Sequence, residues 1–161
     1  MTQTQYTKSP DSKVLAVSRE FAAAPEQVWQ AWTDSQLLDQ WWAPKPWKAQ
    51  TKTMQFEEGG SWLYCMEGPD GEKSWAQADF KNIQPQASYE ATDSFCDEEG
   101  NLNPDFPSTH WKTTFAPSQV GTRVNVEITF PTRADLEKIV EMGFETGFAA
   151  AHENLDTLLK Y

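Results

Sequence analysis

His152 is the side chain in this 161-residue sequence best fitted to move a proton, since an imidazole with an unperturbed pKa of about 6.5 changes charge near neutrality. It follows Phe144 and Phe148 at helical spacing, so its ring belongs to an inward apolar stripe. There it is either a general base or hydrogen-bonding anchor in a cavity, or a satisfied core histidine. The second candidate is Asp93, which alternates with Tyr89, Ala91 and Phe95. If those rings face inward the carboxylate does too, and a buried carboxylate needs a partner or a raised pKa. The run Asp97-Glu98-Glu99 just beyond favours the other placement, a strand end in water. Asp79 shares the ambiguity, with Trp75 and Gln77 on its side and Phe80 on the other.

Other chemistries find no residues to carry them. His110 and His152 are far apart and Cys65 and Cys96 have no metal-ligand spacing, so no zinc site and no cofactor is expected. Gly59-Gly60 lacks the rest of a phosphate loop, and there is no Gly-x-Ser-x-Gly elbow. The formal net charge of −11 repels phosphate backbones and anionic headgroups, which excludes nucleic acid as a partner. No run approaches the roughly 18 to 20 apolar residues of a spanning helix, and the start has no apolar signal region. A cytoplasmic protein with two reduced thiols and no membrane insertion is expected.

The apolar mass lies in rings, with eight Trp and 13% aromatic residues. A pocket wall is expected from Trp41, Trp42, Trp62, Tyr64, Met66, Phe80, Trp111, Thr113, Phe115, Phe144, Phe148 and His152. Apolar pockets are fixed in orientation by a few polar groups, here Tyr64, Thr113 and His152.

These side chains must be positioned by a particular order of elements. Residues 1–12 read as a loose polar arm, and 13–161 as a single domain. A strand over 13–21 precedes Pro25, which suits the first residue of a helix running to about Thr33. Asp34-Ser35 can cap a second short helix over 36–40, and Trp41-Trp42 with Pro44 and Pro46 makes a rigid aromatic corner. From Trp47 to Phe130 short alternating runs are separated by turn clusters, with an acidic loop near 97–109 of the kind that serves as a lid. After Thr132 and Asp135, which resemble a capping box, a stripe from Leu136 to Leu159 predicts one long helix. The fold class is α+β, a curved antiparallel sheet of about six to seven strands around that helix, with two short helices after the first strand. Gly143 and Gly147 within the helix call for a strand packed close by or for room beside a ligand.

The residues Val17-Ser18-Arg19-Glu20-Phe21, Pro25-x-x-Val28-Trp29-x-Ala31-Trp32-Thr33-Asp34, Trp41-Trp42-x-Pro44, Gly59-Gly60-Ser61-Trp62, Asp70-Gly71, Ile83-x-Pro85, Gly121-Thr122-x-Val124 and Gly147-Phe148 with Leu155 and Leu158 occur in that order. From about residue 13 onward the chain resembles the START-related helix-grip superfamily, in the branch similar to the C-terminal domain of Hsp90 ATPase activator homologues. The resemblance implies a helix-grip fold with a small lipophilic guest, a lipid, polyketide or aromatic metabolite, between sheet and C-terminal helix, in a stress-response setting. It equally admits a cyclase or hydrolase using His152 with a carboxylate, and a module whose partner is a chaperone. The chain departs from similar sequences at Gln55 and Glu57, where Asp and Arg are frequent, at Ala78, often Gly, and at His152, commonly Leu.

Overall fold

Turn residues and strand alternation between Trp47 and Phe130 resolve into a meander, seen in a computed structural model that describes residues 4–7 and 13–159. The strands are β1 (Gln5–Thr7), β2 (Val14–Phe21), β3 (Lys48–Met54), β4 (Ser61–Glu67), β5 (Lys73–Gln84), β6 (Ser88–Cys96), β7 (Thr109–Pro117) and β8 (Thr122–Thr129). They form one antiparallel sheet in the order β1-β2-β8-β7-β6-β5-β4-β3. In β2 and β8 buried positions alternate with half-buried or exposed ones, so Leu15, Val17, Phe21, Val124, Val126 and Ile128 share the core face. The sheet thus has eight strands rather than six or seven. Part of the expected arm, residues 1–3 and 8–12, lies outside the described residues, whereas Gln5–Thr7 pair with β2 opposite Ser18, Val17 and Ala16.

Helices α1 (Pro25–Thr33) and α2 (Ser35–Trp41) begin and end on identifiable signals. Pro25 opens α1, where a missing N–H costs no intrahelical bond. Asp34 then serves both helices: its backbone N–H donates to Gln30 O at 2.9 Å and its Oδ1 accepts from Gln36 N at 2.9 Å. The buried Trp41 indole donates Nε1–H to Ala31 O at 2.9 Å and meets Trp32 at 4.9 Å between ring centroids, fixing α2 against α1. Replacing such a filled, hydrogen-bonded ring with Ala costs about 3–5 kcal/mol.

The single long helix expected after Thr132 is two helices, α3 (Arg133–Glu141) and α4 (Phe144–Leu159). Thr132 caps α3 as expected, accepting from Asp135 N at 3.1 Å. Gly143 ends it at φ +93°, its N–H bonded to Val140 O at 3.0 Å, the left-handed termination that glycine adopts without a Cβ penalty. The apolar stripe nevertheless continues in phase, with Leu136 buried on α3 and Phe148, Ala151, His152 and Leu155 buried on α4.

Candidate functional site

Cross-strand register places the polar and aromatic side chains of the sheet's inner face in rows. Trp62 of β4 stands beside Ala78 of β5, Asp93 of β6 and Thr109 of β7, while Tyr64 stands beside Ala76 and Phe95. The alanines of β5 are the decisive positions, because small side chains in a row of rings leave volume that nothing else in the sheet fills. Above them lie two adjoining cavities of about 260 and 250 Å³. Both are bordered by Asp93, Phe95, Trp111 and Phe144.

The first cavity is completed by Phe106 and Pro107 of the acidic loop, by Thr109, Ile128 and Phe130, and by Asp135, Lys138, Ile139, Met142 and Gly143 at the α3–α4 break. Phe106 is held by Phe95 at 5.0 Å and lies under Lys138 Nζ, 4.9 Å from the ring centroid. The second is completed by Trp42 and Pro44 of the aromatic corner, by Tyr64, Met66, Ser74 and Ala76, and by Gly147 and Phe148 of α4. A Cβ on Gly147 would stand 3.7 Å from Pro44 Cγ, an ordinary contact, so this glycine keeps space open between helix and corner. A small void of about 30 Å³ beneath them is lined by Trp62, Phe80 and Thr113 among others, and again by Asp93.

The polar groups of this region are few and unequal. Tyr64 Oη accepts from Trp42 Nε1 at 3.1 Å, and its ring stacks on Trp62 at 3.9 Å. Burial, with the Asp93 charge second, holds the Tyr64 phenol well above its ordinary pKa, so it stays a neutral donor. Asp93 has neither a hydrogen-bond nor an ion-pair partner among the described residues. Burial first, and the Asp79 charge second, push its carboxyl up to about 7. Thr109 Oγ1 accepts from Trp111 Nε1 at 2.9 Å, which orients the indole between the cavities.

Several expected wall residues therefore do line this space: Trp42, Tyr64, Met66, Trp111, Phe144 and Phe148 face the larger cavities, and Trp62, Phe80 and Thr113 the small void. Thr113 is tied to Tyr89 by a side-chain hydrogen bond. Trp41, Phe115 and His152 border none of the three spaces. His152, 2% exposed, is packed by Phe21, Trp32, Trp41 and Phe148, the last at 4.2 Å. Its Nδ1 lies 2.8 Å from Thr4 Oγ1, and among the described residues its Nε2 has no hydrogen-bond partner and no carboxylate bonds to the ring. Burial, reinforced by the nearby Arg19 charge, lowers its pKa to about 3, so the ring is neutral.

Asp93 is the cavity-lining residue that sequence reasoning placed in water. The alternation with Tyr89, Ala91 and Phe95 was the correct signal, because β6 stays paired past Asp93 to Cys96 before the acidic run begins. Asp79, one position out of phase with Ala78, faces outward and accepts from Gln77 Nε2 at 3.0 Å. Phe95, Phe106, Ile128 and Met142 were also missed. Among the described residues no group of His, Cys, Asp and Glu gathers in a metal-holding arrangement, and no helix is long and apolar enough to cross a membrane.

The fold recurs in solved structures. A protein from Mycobacterium smegmatis superposes with a TM-score of 0.89 at 30% identity, covering 98% of this chain and 96% of its own. One from Arthrobacter aurescens gives 0.89 at 32% identity, with 97% and 91% covered. One from Staphylococcus epidermidis gives 0.86 at 25%, with 97% and 93% covered. No curated protein matches the chain. The model of the family described as "Activator of Hsp90 ATPase homolog 1-like protein" matches residues 22–160, and with the curved sheet gripping its C-terminal helix the chain belongs to that family.

Proposed function

We propose that residues 13–161 act as one unit whose function is to bind a small lipophilic molecule in the paired cavities between sheet and α4. At the family level the fold supports a ligand-binding or Hsp90-activator-like module. The observation that favours a ligand is the pair of adjoining spaces of about 260 and 250 Å³, walled by Trp42, Trp111, Phe144 and Phe148, the second left open by Ala76 and Gly147. Ligand pockets have this composition, mostly apolar and aromatic with a small number of convergent polar groups, here Tyr64, Asp93 and Thr109. An acid–base enzyme built on His152 has less support, since the imidazole meets a threonine and four rings instead of a carboxylate.

Trp42 and Trp111 border the site, so occupancy is read directly from intrinsic fluorescence. Titration with a panel of fatty acids, sterols, aromatic polyketides and lipophilic amines is expected to change emission and raise Tm for at least one class. A panel that moves neither, together with acceleration of an Hsp90 ATPase by the purified chain, would replace the ligand reading with the chaperone one.

A further inference from the structure

Asp93 borders both cavities and the small void beneath them, as does Trp111. Among the described residues lining the second cavity Asp93 is the sole group able to carry a formal charge near neutral pH, surrounded by Trp42, Phe95, Trp111, Phe144 and Phe148. Among the described residues no basic group pairs with it. The basic residue bordering the first cavity, Lys138, has its Nζ on the Phe106 ring, and the neighbouring Asp79 charge opposes ionisation of Asp93. A carboxylate partly withdrawn from water without a partner carries a cost, and aromatic faces carry negative potential. An anionic guest would meet Asp93, Asp135 and a net charge of −11, all of one sign. A neutral guest leaves the carboxylate unpaired. A cation relieves the missing pair and uses the ring faces as well.

We infer that the guest of this cavity is a lipophilic organic cation, an amine or quaternary ammonium on an apolar body, with its charge set against Asp93 inside the aromatic ring. The inference rests on the cavity being a ligand site. Asp93 supplies the charge, Trp42 and Trp111 flank it, and Tyr64 closes the wall behind with a hydroxyl that Trp42 already orients.

The test compares benzyltrimethylammonium with its uncharged carbon isostere neopentylbenzene and with the anion 4-phenylbutanoate, by fluorescence titration of the full chain. The expected result is affinity for the cation about tenfold above the isostere, with the anion weakest. Asp93→Asn is expected to bring cation and isostere within about threefold. Asp70→Asn, which removes the same charge from an exposed turn, should leave the preference intact. Asp93→Ser serves as a second neutral variant, with far-UV circular dichroism as the check on folding. Equal binding of cation and isostere by the wild type overturns the cation inference and leaves the ligand site standing. A preference that survives Asp93→Asn and Asp93→Ser overturns it too, assigning the effect to the overall negative field. If none of the three probes binds and the lipophilic panel is also silent, both readings fall.

Discussion

Arg19 of β2, 5% exposed, donates through Nη2 to the carboxylate of Asp156 on α4, so the first full-length strand and the last turns of the chain are joined by an ion pair across the core. Arg19 Nη1 also donates to Thr4 Oγ1 at 2.8 Å, and Thr4 in turn meets His152, one turn before Asp156. The helix is therefore held by charge at one end and by its apolar stripe along the rest. Asp156→Asn leaves the guanidinium buried without its counter-charge and is expected to cost about 3 kcal/mol, read from urea denaturation. The pair Arg19→Met with Asp156→Leu should cost less than the single change, because it removes both charges at once.

Two titrating groups, the half-buried Asp93 on the cavity wall and the buried His152, oppose each other below neutrality. Asp93 has a folded pKa raised to about 7, so its stabilising protonation is complete below the unfolded value of about 4 and is lost as pH rises through 7. His152 has a folded pKa lowered to about 3, so its contribution is present above the unfolded value of about 6.5 and is lost as pH falls toward 3. Between about pH 4 and 6.5 the two slopes cancel in part, and the wild-type profile should be flat. Asp93→Asn is expected to uncover a loss of at least ~1 kcal/mol on acidification across that window, and His152→Leu a gain of similar size. Tm measured in steps of pH for the three proteins decides it; parallel profiles would contradict both assignments.

His152→Leu also separates core from cavity. The imidazole borders neither cavity nor the small void, so the fluorescence response of the variant to a bound guest should match the wild type within about twofold. A loss of tenfold or more would place His152 in the binding machinery.

Ala76→Leu puts three further carbons into the second cavity from the middle of β5. Since the space is already there, the cost in stability should stay within about 1–2 kcal/mol, while guest-induced fluorescence change is abolished. Retained binding at full affinity would move the guest to the first cavity.

Gly143→Ala tests the helix break. No atom lies within 4 Å of the added Cβ, so only the backbone at φ +93° opposes it, at about 1 kcal/mol, or a Tm lower by about 2–4 °C.

Much of this architecture is legible in the sequence because it is written in periodicities. Alternation in Val124-x-Val126-x-Ile128 gives strand and face together, and Pro25, Asp34 and Thr132 mark helix starts through chemistry that acts within a few residues. The break at Gly143 escapes because the stripe resumes in phase beyond it, so period alone sees one helix. β1 escapes because three mostly polar residues carry no pattern of their own and are strands only by pairing with β2. The site itself is half visible. Periodicity tells which side chains point inward, which held for Trp41, Phe115 and His152 as well as for Trp42, Trp111 and Phe148. Whether inward means packed or open depends on the small residues between them, Ala76, Ala78 and Gly147, whose contribution is what they lack.

The glycine joint between α3 and α4 also bears on time. Of the nine residues of α3 only Leu136 is fully buried, and Met142 beside the joint is 60% exposed. Swinging this short segment away from the first cavity forfeits little apolar contact compared with lifting α4, which would break the Arg19–Asp156 pair and expose Phe148 and Leu155. For the guest proposed above, residence is therefore expected to be uncoupled from the lifetime of the fold, with exchange following the local opening of nine residues, on a clock that substitutions in α3 would reset without touching the other walls.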